Sequence, residues 1–128
     1  MLGVIRNMNK QELQKFCENE LESYIYDVSA PTIGNAWSKE KVDAQLKQLK
    51  IAIVEPYLEE MELRDSYEQL GMKEPEYEQL WVVADDNNGY KVFYDPLAEE
   101  FGLAEYAEKQ MPTTMGVRGD FVGTFMAR

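Results

Sequence analysis

Residues 80–95 read LWVVADDNNGYKVFYD, two runs of β-branched and aromatic residues on either side of Asn88-Gly89. Asn-Gly tolerates the positive φ that a type I′ turn demands at both central positions, so this spacing predicts a β-hairpin. With Asn88 and Gly89 at the corner, Asn87 faces Tyr90, Asp86 faces Lys91, Asp85 faces Val92, Ala84 faces Phe93 and Val83 faces Tyr94. One face then collects Trp81, Val83, Tyr90, Val92 and Tyr94, with Asp85 near the tip. The other carries Val82, Ala84 and Phe93 and ends in the Asp86–Lys91 pair. Both faces are apolar at their centre, which predicts the middle of a sheet covered on both sides.

Upstream, the pattern is helical. Asn9 followed by Glu12 is a capping-box signature. Leu13, Phe16, Cys17, Leu21, Tyr24, Ile25 and Val28 then fall on one stripe, which predicts a helix closed by the Pro31 and Gly34 turn. Ser38 is the expected cap of a second helix, with Trp37 packing back as a staple. Val42, Leu46, Leu49 and Ile53 face inward, and Pro56 stops it near Val54 or Glu55. Lys39, Lys41, Lys47 and Lys50 make this helix the main basic surface.

Tyr57 to Asp65 reads as a strand, with Met61 and Leu63 on one side and Glu60, Glu62 and Arg64 on the other. Ser66 to Pro75 reads as a turn or loop. After the hairpin, Asp95-Pro96 has cap-then-proline order, so a short helix ending at Gly102 is expected, with another helical turn or two over Leu103 to Lys109. Pro112 to Gly116 reads as a connector. Phe121 to Ala127 alternates and is expected to be the last strand. The sum is an α+β fold, two N-terminal helices on the Trp81 face of a mostly antiparallel sheet of about four strands.

The chain has 128 residues, 45% apolar, which suits a single domain over 1–128, with residues 1–8 read as a loosely held extension. Its net charge of −11 is uneven. Residues 1–64 hold 11 acidic and 8 basic side chains, whereas residues 65–128 hold 13 and 5. That field repels phosphate backbones and attracts basic partners, so direct nucleic-acid binding is not expected. One cysteine gives no internal disulfide, and no apolar run is long enough to span a bilayer. The expected location is the cytoplasm, with no membrane association, and a homo-oligomer stays open.

With no histidine, Ser-His-Asp and Cys-His nucleophiles, imidazole metal sites and imidazole relays are all excluded. One cysteine also removes structural zinc sites, and no cofactor is expected. Cys17 sits in the apolar stripe beside Glu18 and Glu20, where a thiolate is disfavoured. Residues 84–95 have the acidic density of a calcium loop, but Ala84 holds the first ligand position and Asp95 the last, where Glu is usual. Arg118-Gly119-Asp120 spells a recognition tripeptide, although a glycine turn before the final element accounts for it.

Three functions compete. The leading expectation is a non-enzymatic binding domain (an adaptor, an inhibitor or an immunity-type protein) docking its acidic half on a basic protein through Tyr57, Glu60, Glu62, Asp85 and Asp86. Tyrosines interleaved with carboxylates suit such an interface. A small carboxylate-dependent, magnesium-assisted enzyme would use Glu60, Glu62, Asp85 and Asp86. A small-ligand binder would place its aromatic pocket near Trp37 or Trp81.

Overall fold

The computed structural model describes residues 8–24, 37–71, 74–108 and 110–128. Helix α1 spans Lys10–Ser23 and α2 spans Lys39–Ala52, followed by strand β1, Ile53–Leu63, and a short α3, Tyr67–Gly71. Strands β2 (Glu76–Asp85), β3 (Tyr90–Asp95), β4 (Glu100–Glu105) and β5 (Thr113–Gly119) follow, and α4 (Phe121–Met126) ends the chain. The class is α+β, with five strands among the described residues rather than four, and the sheet closes on itself as a barrel in the order β1-β2-β3-β4-β5. Neighbours run antiparallel except at the seam, where β1 and β5 meet in parallel at Glu62 and Thr113.

Both helix starts follow their caps. Asn9 Oδ1 accepts the Glu12 N–H at 2.9 Å while Glu12 Oε1 accepts the Asn9 N–H at 3.4 Å, and Ser38 Oγ accepts the Lys41 N–H at 3.1 Å. Such caps contribute about 1 kcal/mol each. Trp37 lies under Lys41, with Nζ 4.2 Å from the ring centroid. Helix α1 stops at Ser23, earlier than its stripe suggests, and Tyr24 is extended. The Ser23 hydroxyl donates back to Asn19 O at 2.8 Å, a local bond that competes with helix propagation. Ile25, Val28 and the expected turn at Pro31 and Gly34 lie outside the described residues, as does 1–7, whereas Met8 packs on the core.

Strand β1 begins before Pro56, which sits at an irregularity between Ile53 and Tyr57 where a missing ladder donor is tolerated. The expected loop after it contains α3, capped by Ser66 Oγ, which accepts the Gln69 N–H.

The hairpin forms, but with a wider corner. Trp81 pairs with Tyr94 and Val82 with Phe93, then the register slips so that Ala84 meets Val92 and Asp85 meets Lys91. Positive φ falls at Asn87 and Gly89, not at Asn88 and Gly89. Asp85 and Asp86 hold this loop by accepting the N–H groups of Asn87 and Asn88, each at 2.8 Å. Asx-type bonds of this kind compete with the two-residue turn and move the positive-φ positions. The expected faces survive as far as Val83. Past the slip Ala84 joins the Trp81 side, Asp85 turns to the Lys91 side, where Tyr106 donates to it, and Asp86 pairs with Arg128 in place of Lys91.

Downstream, the expected elements exchange character. Asp95 Oδ1 accepts the N–H groups of Leu97 and Ala98, but this makes one tight turn and not a helix. Glu100–Glu105 is a strand, which also replaces the expected helical turn at Leu103. Gly102 is required by packing, because a Cβ there would lie 2.2 Å from Cζ of Phe93. The expected connector from Pro112 to Gly116 is mostly β5. Phe121 to Met126 is a helix capped by Asp120, with Phe121, Val122, Thr124 and Phe125 buried at helical spacing.

Two apolar clusters result. Leu13, Cys17, Leu49, Val83, Val92, Tyr94, Phe101, Phe121 and Phe125 fill the layer between the helices and the barrel wall. Phe101 is the junction, stacked on Phe16 at 6.0 Å and tilted against Tyr94 and Phe121. Met61, Leu80, Val82, Phe93 and Ala104 form the barrel interior.

Candidate interaction surface

The barrel interior is apolar only in the middle. On β3 the alternation Lys91, Phe93, Asp95 puts a cation toward one mouth and a carboxylate toward the other, with Phe93 between them.

At the first mouth Lys91 Nζ bonds Glu59 Oε1 at 2.7 Å and lies 4.6 and 5.7 Å from the ring centroids of Tyr106 and Tyr57. The Tyr106 hydroxyl donates to Asp85 Oδ1 at 2.6 Å. Burial alone would lower the Lys91 pKa, but its interactions with Glu59 and Tyr57 outweigh that and raise it. Burial, the bond to Asp85 and the charges of Asp85 and Asp86 push the Tyr106 hydroxyl well up. Lysine and phenol are therefore both held protonated, the wrong forms for a base or nucleophile.

At the second mouth Arg118 bonds Asp65 Oδ2 at 2.7 Å and Asp95 Oδ2 at 3.0 Å, and its guanidinium lies 4.8 Å from the Phe93 ring centroid. Burial and the charge of Asp95 raise the pKa of neighbouring Glu78, with Arg118 opposing. The Arg118-Gly119-Asp120 tripeptide is thus engaged in the fold at both ends, through the arginine pairs and the Asp120 cap of α4.

Of the residues singled out from sequence, Tyr57 and Asp85 share the first mouth, joined there by Glu59, Lys91 and Tyr106, which sequence reasoning missed. Asp86 lies apart, paired with Arg128 Nε at 3.2 Å. Glu60 and Glu62 point outward from β1, and Glu62 pairs with Arg64. The five residues therefore do not form one site. Lysine inside an apolar strand, Tyr90-Lys91-Val92-Phe93, was the available signal for the mouth. The signal for Arg118 was weaker, because its partners lie 23 and 53 residues away.

Outside the barrel, Leu58, Glu60 and Glu62 of β1 stand opposite Trp81, Gln79 and Tyr77 of β2. Trp81 packs on the helix-side core, but beyond it this face is left to solvent, with Leu58 and Tyr77 50% and 51% exposed. A hollow of about 450 Å³ between α1 and α2 is lined by Leu21, Leu46 and Ile53 between Glu18 and Glu22 on one bank and Lys47 and Lys50 on the other. Neither tryptophan lines it. Among the described residues no cluster of three or more His, Cys, Asp or Glu has metal-binding geometry. Cys17 is fully buried, and burial, then Glu20 and Glu18, push its pKa far up. No helix among the described residues is long and apolar enough to cross a membrane.

Neither protein-family models, nor curated proteins, nor solved structures give a match to this chain.

Proposed function

We propose that this chain is a non-enzymatic interaction domain that docks the acidic exterior of its barrel on a basic protein. One observation carries the reading: every described cation of residues 65–128 is turned inward and paired. Lys91, Arg118 and Arg128 have side chains only 10%, 20% and 12% exposed, against Glu59, against Asp65 with Asp95, and against Asp86. Glu74, Glu76, Glu105 and Glu108 of the same half are exposed, as are Glu60 and Tyr77 on the adjoining face. Among the described residues of 65–128 the exposed charges are thus all carboxylates, while exposed lysines cluster on α2. Such a polarised field orients an approaching cationic surface and speeds its association.

The test is affinity capture from native lysate at low and moderate salt, with the parent chain beside a Glu60→Lys/Glu76→Lys/Glu105→Lys variant. These three positions are exposed, so the variant should keep its melting temperature within a few degrees. The expected result is a basic protein that the parent releases as salt rises and the variant never retains. A partner held equally at both salt concentrations and by the variant would overturn the reading.

A further inference from the structure

Strand β2 outruns its neighbour. Glu76–Leu80 pair with β1 through Leu63–Glu59, whereas the ladder to β3 begins at Trp81 opposite Tyr94. The β3 chain then turns away at Asp95. Pro96 has no N–H, and the N–H groups of Leu97 and Ala98 donate back to Asp95 Oδ1 at 3.0 and 3.3 Å. Among the described residues, 76–79 therefore have no strand on one side, and such an edge presents backbone donors and acceptors to any extended chain.

The side chains on this edge select the occupant. Glu76 and Glu78 share one face, Tyr77 and Gln79 the other, with Glu74 just ahead. Neither Glu76 nor Glu78 forms an ion pair among the described residues. A second copy of the same edge would bring glutamates against glutamates, which is destabilising, whereas a strand with lysine or arginine at alternate positions matches their spacing.

We propose that the Glu76–Gln79 edge of β2 takes up an extended, lysine- or arginine-bearing segment of the basic partner as an added strand, its cations set against Glu76 and Glu78 and its apolar side chains against Tyr77. This deepens, and rests on, the interaction-domain reading. Main-chain bonds supply affinity in this mode, and the alternating side chains supply selectivity.

An octapeptide alternating lysine and valine, titrated into the full chain, is the probe. It is compared with two isomers N-methylated on either alternate set of residues, which keep the charge and block one backbone edge each. The expected result is one isomer binding like the parent peptide and the other about tenfold weaker or worse, with amide exchange slowed within 76–79. Equal binding of all three peptides without amide protection overturns strand addition, yet leaves salt-sensitive docking on an acidic face intact. No binding of any peptide also overturns it, and the capture experiment then decides the broader reading separately.

Discussion

Replacing Gly102 with alanine should destabilise the fold by about 2–3 kcal/mol, the upper part of the usual overpacking range. The cause is steric, since Gly102 does not have a left-handed φ. A Cβ would lie 2.2, 2.7 and 2.8 Å from Cζ, Cε1 and Cε2 of Phe93. That ring cannot retreat easily, because it is fully buried and has the Arg118 guanidinium 4.8 Å from its centroid. For a domain of this size the loss corresponds to a fall of roughly 8–12 °C in melting temperature. Phe93→Leu alone removes ring volume and should cost about 1–2 kcal/mol through the cavity it leaves. In the Gly102→Ala background the same change opens space for the new methyl, so the pair should couple favourably by at least about 1 kcal/mol. Urea unfolding of the four proteins, followed by tryptophan fluorescence, measures the cycle. A Gly102→Ala protein within about 0.5 kcal/mol of the parent, or strictly additive changes, would refute the packing argument.

Three further outcomes follow from the same geometry. Deleting Phe121 to Arg128 should abolish the cooperative thermal transition, because it strips Phe121, Val122 and Phe125 from the helix-side core; a shortened chain melting near the parent would contradict this. Arg118→Met should cost about 3 kcal/mol at neutral pH, because half-buried Asp65 and buried Asp95 lose their cation, and urea denaturation beside the parent measures the loss; a change under about 1 kcal/mol would contradict this. Glu78→Gln should raise the melting temperature at pH 7. Its folded pKa is raised, so ionisation opposes folding; that penalty is absent below the unfolded value and develops as pH rises through the folded one. Melting curves from pH 3 to 8 should therefore converge at the acid end, and a benefit independent of pH would disprove the assignment.

The elements legible in the sequence are those settled by neighbours along the chain. Asn9 with Glu12, Ser38 with Lys41, and the two apolar runs around residues 86–89 each close their bonds within a few residues, so local chemistry is enough. Asp95-Pro96 is the instructive failure. Its cap bonds form, but Phe101 and Leu103 alternate with Gly102 and Ala104, and β4 is needed between β3 and β5 to close the ring. Phe121 and Phe125 fail in the opposite direction: a separation of four fits a strand face and a helix face alike, and the Asp120 cap with the burial of Val122 beside them belongs to the helix.

The same division runs through the candidate surface. Composition and local residue order alone determined the acidic field, the missing imidazole chemistry and the helical start of the chain, because these depend on which residues are present or on contacts a turn away. Tertiary structure decided which charges remain exposed. Barrel closure carries Lys91 and Arg118 inward, and docking of the C-terminal helix carries Arg128, each to carboxylates far along the chain, since a buried cation is tolerated only beside such a group. It leaves Glu76 and Glu78 without an ion pair among the described residues, on a strand that its neighbour does not follow to the end.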